Sequence, residues 1–315
     1  MAVMIESRER PIFVIGSLVA ACCARVPRCP EPGESVQASG FVLEPGGKGF
    51  NVALAVHRLG LPVDGLFAVG DDALGGFMRT GFTRLGLPDG LIETVDAPTG
   101  AGVGLIQSEG ENRIAVFPGA NHGLSAEDVA SRADRLRDSV LVFAQFEASD
   151  APIEAAFATA REAGIVTMLN PSPYRPISPV ILSNTDILVL NQSEAACLLA
   201  ACNGAGDLDA LAMMLAINGL QQLIVTRGPS GAAAWQDGKR LEHPGFAVDA
   251  VDSIGAGDAF AGGFIAALVR GMGVDEALAW GCAAGALTVQ RLGLIDALPT
   301  MADLHAMIGG GEAVR

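Results

Sequence analysis

The chain has 315 residues, half of them hydrophobic and only 17% charged, with 40 glycines; this composition buries a sizeable core and argues against disorder. Its formal net charge is −15 with 20 Lys plus Arg, so the chain as a whole repels a nucleic-acid backbone, and no basic run makes a local exception. No apolar run reaches the roughly 18–20 residues of a membrane helix, and the length suits one large domain or one domain with a small appendage.

In chain order, Arg8 and Arg10 precede the apolar run PIFVIGSLVAACCA, where VAAC ending at Cys22 has the look of a lipoprotein cleavage box. Glu6 and Glu9 stand among those arginines, and IFVIG (12–16) reads instead as the first buried strand of an α/β domain. Residues 49–60 have helical spacing and end in Gly60, 63–70 read as a strand, and 73–86 as a helix. Continuous apolar runs at 139–146, 165–170, 186–191 and 223–228 read as strands separated by helical stretches at 151–163, 192–201 and 207–218. Such runs predict a doubly wound, mostly parallel sheet covered on both faces. Two segments break this rhythm. Residues 18–45 and about 99–118 lack long helical patterns, and AGVGLIQSEGENRIAVF reads as a hairpin around SEGEN. They predict a small β-sheet on the edge of the main domain, a candidate lid, with a pair of surface loops as the alternative.

The six cysteines, Cys22, Cys23, Cys29, Cys197, Cys202 and Cys282, form no C-x-x-C and join none of the four histidines at metal-ligand spacing. They read as reduced, mostly buried thiols of a cytosolic protein. In a doubly wound sheet, ligands gather at the carboxyl ends of the strands. That rule makes Glu147, Asn170, Asn191, Thr226, Gly228 and Asp252 candidates. Each has a structural alternative, because Asn and Asp also cap helices.

The densest signal is VDSIGAGDAFAGGF at 251–264. GFAVDAVD reads as a strand running into SIGAGD and then a helix with Phe260, Phe264, Ile265 and Leu268 on its apolar stripe. Gly255, Ala256 and Gly257 thus stand at a strand-to-helix corner, where small side chains admit a ligand to the backbone and the first N–H groups favour negative charge. P-loop, dinucleotide and protein-kinase signatures are absent. A carboxylate at Asp258, beside such an anion hole, suits proton removal from a hydroxyl that attacks a phosphoryl group. The alternative is a helix cap.

Taken together, GGKGFN (46–51), GDDALG (70–75), PGAN (118–121), NQSE (191–194), TRGPSG (226–231) and DSIGAGDAF (252–260) resemble, in this order, the ribokinase or PfkB family of carbohydrate kinases. The resemblance runs from IFVIGS to about residue 300. It implies a single ribokinase-like domain over 1–315, a three-layer α/β fold whose lid, from about 18–45 and 99–118, is also a homodimer interface. It implies a cytoplasmic enzyme that transfers the γ-phosphoryl group of ATP to a hydroxymethyl group of a sugar, with Mg2+ and a monovalent cation such as K+. Asp258 matches the catalytic base, and the backbone of Gly255, Ala256 and Gly257 the anion hole. Gly47, Lys48 and Asn51 match the sugar-binding motif, and Glu147 a substrate-contacting acid. Asn191, Thr226, Arg227, Gly228 and Gly231 match the nucleotide site, and Glu194 completes an N-x-x-E pattern linked with magnesium and phosphate. Asp252, Ile254, Thr288, Arg291 and Gly293 match the loops around the monovalent cation.

One departure bears on the substrate. Ribokinases show a G-S-x-N-x-D pattern after the first strand, whereas this chain reads GSLVAA, with Val19 and Ala21. Without that carboxylate a buried sugar hydroxyl loses a partner, at about 1–3 kcal/mol per group. The change disfavours ribose itself and favours an acceptor with an apolar or deoxy portion there, and Cys22 and Cys23 are expected to thicken the apolar wall. Sugar phosphates fit poorly, since AQFEASDAP places Glu147 where phosphofructokinase-type members carry S-G-S-x-P. A nucleoside kinase is the runner-up. A non-catalytic sugar- or nucleotide-binding protein is the alternative from another class, and the retained Asp258, Gly255 and Gly257 argue against it.

Overall fold

The computed structural model describes residues 9–107, 112–202 and 206–310. IFVI forms β1 (Ile12–Ile15), buried at every position. The chain then makes β2 (Val19–Val26) and β3 (Gly40–Gly46), and returns through α1 (Lys48–Arg58), β4 (Val63–Gly70), α2 (Ala73–Arg84) and β5 (Ile92–Val95). A second excursion makes β6 (Gly100–Gln107) and β7 (Asn112–Phe117). Short α3 (Ala126–Ala130) and α4 (Ala133–Arg137) lead to β8 (Leu141–Gln145), α5 (Asp150–Glu162), β9 (Val166–Asn170), α6 (Pro179–Ser183) and β10 (Ile187–Asn191). Then come α7 (Gln192–Ala201), α8 (Leu208–Ile217), β11 (Gln222–Thr226), β12 (Ala232–Gln236), β13 (Lys239–His243), α9 (Ala256–Val269), α10 (Val274–Val289) and α11 (Met301–Gly310).

The main sheet has nine strands in the order β13-β12-β11-β10-β9-β8-β1-β4-β5. From β11 to β5 all pairs are parallel, and β12 and β13 add an antiparallel edge. Side chains alternate across the pleat. Ile12 and Val14 pack with Phe50, Phe82 and Phe264 from α1, α2 and α9, while Phe13 and Ile15 pack with Ile153 and Phe157 of α5. Two apolar layers therefore cover the sheet, as the continuous apolar runs predicted.

The second sheet, in the order β3-β2-β6-β7, occupies the two segments that broke the helical rhythm. β2 pairs antiparallel with β3 and parallel with β6, and β6 pairs antiparallel with β7. The tip of the expected hairpin, 108–111, lies outside the described residues. Buried Asn121 clamps two of the crossings between the sheets: its Oδ1 accepts from Leu18 N at 2.8 Å, and its Nδ2 donates to Leu18 O at 3.0 Å and Pro118 O at 2.8 Å. Asp72, the N-cap of α2, fixes a third by accepting from Thr99 N at 2.8 Å and Thr99 Oγ1 at 2.7 Å. Those backbone and hydroxyl donors hold the Asp72 carboxyl below its usual range.

Three expectations need correction. GFAVDAVD forms no strand: β13 ends at His243 before Pro244, which has no N–H to continue a ladder, and Val251 and Asp252 donate instead to Val289 O at the end of α10. The hairpin β12–β13 went unread because AAAWQ and KRLEH carry few β-favouring residues, yet its turn, with Asp237 at φ 51° and Gly238 at φ 72°, has the Asp-Gly signature of a tight hairpin. The thiols are not mostly buried. All six are free, Cys282 alone is buried, and Cys197 is exposed. No helix among the described residues is long and apolar enough to cross a membrane.

Candidate active site

At the carboxyl end of β1 the chain turns through Gly16 and Ser17, and fully buried Ser17 organises the pocket floor. Its hydroxyl donates to Glu147 Oε2 at 2.6 Å and accepts from Gly49 N and Gln145 Nε2, each at 3.2 Å. The same Glu147 oxygen accepts from Lys48 N at 2.8 Å, so the acid orients the start of α1. Gly47 has φ 108°, and a Cβ there would stand 2.7 Å from Ser17 O. The GGKG turn therefore requires glycine at this point.

α1 aims Lys48 and Asn51 at the first turn of α9. Asn51 Nδ2 donates to Asp258 Oδ2 at 2.6 Å, and Lys48 Nζ lies 3.9 Å from Asp258 Oδ1. Asp258 is 6% exposed. The Lys48 ammonium is held above its usual range chiefly by Asp258, against the effect of burial and with help from Glu147 and Glu194. Asp258 does not cap its helix. The N-cap is Gly255, in the left-handed region at φ 77°, with no side-chain cap bond. A Cβ on Gly255 would meet Leu294 Cδ1 at 1.9 Å, whereas one on Gly257 would meet nothing within 4 Å. Ala256 N makes a long bond to Ser253 O at 3.4 Å, and the next N–H groups, of Gly257 and Asp258, stand without a partner among the described residues beside open space. Asn51 Oδ1 is buried without a partner among the described residues. A buried orphan oxygen beside a carboxylate is an acceptor site for a ligand hydroxyl.

The other candidates divide. Asn191 and Glu194 form a capping box on α7, Asn191 N to Glu194 Oε2 and Glu194 N to Asn191 Oδ1, both at 2.8 Å, with Glu194 6% exposed. Asn170 ties β9 to β10 through Val189 O at 2.9 Å. Thr226 Oγ1 reaches Leu190 O at 3.4 Å, and Arg227 N donates to Gly231 O at 2.7 Å across the turn holding Gly228. Gly231 is required by packing, since a Cβ there would stand 1.9 Å from His243 O. Arg227 Nε is buried without a partner among the described residues. Burial pushes the Cys282 thiol up to about 12, slightly opposed by the Arg227 guanidinium.

Asp252 joins two loops, accepting from Ile254 N at 3.0 Å and Gly293 N at 3.4 Å. Thr288 donates its hydroxyl to Ala284 O at 2.9 Å, which leaves the oxygen's lone pairs, and Arg291 Nη1 reaches Asp296 O at 3.2 Å, so from Arg291 a cation could take only the main-chain oxygen. Oxygen donors of this kind, one carboxylate and carbonyls, suit a hard cation and do not by themselves select its charge. Among the described residues no group of three or more His, Cys, Asp or Glu is placed to hold a metal. Magnesium coordinated mainly by nucleotide phosphates and water needs no such group.

Sequence reasoning missed Ser17, Gln145, Asn121 and Glu44. Ser17 stood at a strand end and was legible by the rule that gave Glu147. Glu44 required the register of β2 with β3: half-buried on β3, it accepts from Leu294 N at 3.3 Å, on the loop that abuts Gly255. Burial first, then Asp296 and Asp252, hold its carboxyl above the usual range.

A mostly parallel, doubly wound sheet with a small second sheet, whose β3 carboxylate reaches the loop beside a glycine-rich helix start with a hydrogen-bonded carboxylate, is the architecture of a sugar kinase. The model of the pfkB family of carbohydrate kinases matches residues 10–301. Ribokinase of Haemophilus influenzae is 32% identical over 295 residues, covering 93% of this chain and 96% of that protein. Ribokinase of Thermotoga maritima superposes with a TM-score of 0.86 at 29% identity, over 95% of this chain and 99% of that one. The structure of Arabidopsis thaliana ribokinase complexed with ribose and ATP gives 0.83 at 27%, with the same coverage of each chain. The chain belongs to the pfkB family: it is a carbohydrate kinase, with the ATP-dependent sugar phosphorylation of its relatives.

Proposed function

We propose that the whole chain acts as one kinase domain, transferring the γ-phosphoryl group of Mg-ATP to a hydroxymethyl group of a sugar or sugar-like acceptor between α9 and the small sheet. The observation that carries this reading is Asp258, buried beside an open helix start and contacted by Asn51 at 2.6 Å. The acceptor hydroxyl gives its proton to the Asp258 carboxylate while its oxygen forms a bond to the γ-phosphorus. The bond from that phosphorus to the bridging oxygen breaks, and ADP leaves with the electron pair. Backbone N–H groups of Gly255 to Gly257 face the charge that develops on the phosphoryl oxygens. Lys48 offsets the charge of Asp258, and Asn51 Oδ1 accepts from the acceptor. Glu147 acts through Ser17 and Lys48 N as well as toward the acceptor.

Asn191, Thr226, Arg227, Gly228 and Gly231 form the nucleotide side in this reading, with Glu194 behind the phosphates. Magnesium, when bound, neutralises charge on the transferring phosphates. Asp252 with main-chain oxygens at Ile254, Thr288, Arg291 and Gly293 would hold a monovalent cation such as K+. The small sheet is a lid that excludes water on closure. A cytoplasmic site of action supplies ATP and keeps six thiols reduced, and the net charge of −15 speaks against nucleic acid and anionic membranes as partners.

The assembly is read as a homodimer through the lid. Phe41, Leu43, Val103 and Phe117 fall on one face of it by register, exposed by 65%, 42%, 55% and 54%. Apolar surface of this kind on a small sheet marks an interface. Light scattering at micromolar concentration is expected to give the mass of two chains; a stable single-chain mass, unaffected by Phe41→Asp, would remove the dimer from this reading.

The functional test is ADP release with Mg-ATP and K+ over ribose, 2-deoxyribose, fructose, ketodeoxy sugar acids and nucleosides, with Asp258→Ala beside the wild type. Turnover of a sugar that disappears in Asp258→Ala with ATP binding intact supports the mechanism; full turnover in that variant overturns it.

A further inference from the structure

The strand register sorts the lid into two faces of different character. One carries Cys22, Phe41, Leu43 and Val103. The other carries Val19, Ala21 and Cys23 from β2, with Glu44 directly opposite Ala21 on β3 and Gly102 opposite it on β6. Cys22 and Cys23 therefore do not thicken one wall together. Only Cys23 lies on the Glu44 face, where burial and then Glu44 raise its thiol above the ordinary value.

The Glu44 face is the one turned to the cleft, because Glu44 reaches Leu294 N on the loop against Gly255. Its β3 strand also runs directly into the Gly47–Lys48 turn that meets Asp258. Around Ala21 this face holds alanine, glycine and valine, and a Cβ added at Gly102 would meet nothing within 4 Å. Among the described residues Glu44 is the one carboxylate on it. One of its oxygens accepts from Leu294 N, and the other has no hydrogen-bond partner among the described residues.

We propose that Glu44 is the acceptor-reading residue of the lid: it accepts a hydrogen bond from a hydroxyl or amino group of the acceptor, whose hydroxyl-free carbon face lies over Ala21 and Gly102. This rests on the kinase reading above. An acceptor hydroxyl turned toward Ala21 finds no partner, whereas one turned toward β3 finds a half-buried carboxylate. Discrimination between acceptors by one such unmet hydrogen bond is about tenfold or more. The room over Gly102 admits a methylene or a bulkier apolar substituent in place of that hydroxyl.

The test is steady-state kinetics with Mg-ATP on D-ribose, 2-deoxy-D-ribose, D-fructose and adenosine, using wild type, Glu44→Ala, Glu44→Gln and Ala21→Asp. Glu44→Ala is expected to raise KM for the preferred acceptor about tenfold or more, with KM for ATP unchanged and Glu44→Gln intermediate. Ala21→Asp is expected to shift the kcat/KM ratio toward the more hydroxylated sugar by about the same factor. If Glu44 only latches the lid to Leu294, every acceptor slows by one common factor and the ranking stays; that result, or no change, overturns the proposal while the kinase reading stands. A wild type that binds ATP and turns over neither these four acceptors nor the ketodeoxy sugar acids and further nucleosides of the panel above overturns both. Should Glu44→Ala fail to fold, near-isosteric Glu44→Gln carries the same criteria.

Discussion

The floor and the lid of this cleft are built on opposite principles. On the floor, hydrogen bonds of 2.6–3.2 Å join Ser17, Gln145, Glu147 and the Lys48 backbone in one group and Asn51 with Asp258 in another, and the Lys48 ammonium, 3.9 Å from Asp258, links the two across the ends of β1 and β8 and the starts of α1 and α9. On the inner lid face, among the described residues, one carboxylate stands among alanine, glycine, valine and Cys23. A dense network seated on buried elements holds reacting groups within the narrow tolerance that phosphoryl transfer requires. A sparse face on a sheet joined to the body by four chain crossings can change its preference without disturbing that geometry. On the reading proposed above, the floor carries the reaction and the lid the choice of acceptor.

The comparison breaks most directly at the floor. Asp258→Asn keeps the shape and the contact with Asn51 but cannot accept the acceptor's proton, so kcat is expected to fall by about 10²–10⁴ with ATP affinity little changed. Stopped-flow or coupled ADP assays check it. Next in size is Gly255→Ala. It places a Cβ 1.9 Å from Leu294 Cδ1 at a φ of 77°, so the Leu294 side chain beside Glu44's loop must move and the backbone at the α9 start is strained. We expect a loss of about tenfold or more in kcat/KM and, from αL strain with overpacking, about 1–3 kcal/mol of stability. Unchanged kinetics in this variant would mean that the α9 start is not where phosphoryl charge is held.

The floor was also the more legible region. GAGD and GGKG are readable because backbone approach and positive φ demand particular residues, at Gly47 and Gly255 above all, and the alternation of apolar runs gives the parallel sheet. What escaped depends on convergence or register. Ser17 stood at a legible strand end, but its bonds to Gln145 and Glu147 exist only because β1 and β8 lie side by side. Asn121 and Asp72 belong to recognisable motifs, yet their work as clamps on the lid crossings appears only with the partners Leu18 and Thr99. Cys22 and Cys23 are adjacent in sequence and on opposite faces in space, which no composition argument reveals. The run FAVDAV has strand-like alternation, but Pro244 and the donors to Val289 O decide otherwise.

The smallest expected effect sharpens the boundary between the two regions. Asn121→Ala removes three hydrogen bonds that hold Leu18 and Pro118, at two of the points where the lid joins the body. Leu18 N–H is left buried without its partner, which costs about 1–3 kcal/mol and is read as a drop of a few degrees in Tm. Because Asn121 touches neither Asp258 nor Asn51 by any of these bonds, the chemical step should persist. A looser lid should instead admit water and lower acceptor affinity, seen as a several-fold rise in acceptor KM and in ATP hydrolysis without acceptor, with kcat changed less than either. A fall in Tm with both kinetic readouts unmoved would make the clamp a packing device alone. A fall in kcat as large as that of Asp258→Asn would show that lid and floor are one mechanical unit, and the division drawn between them would fail.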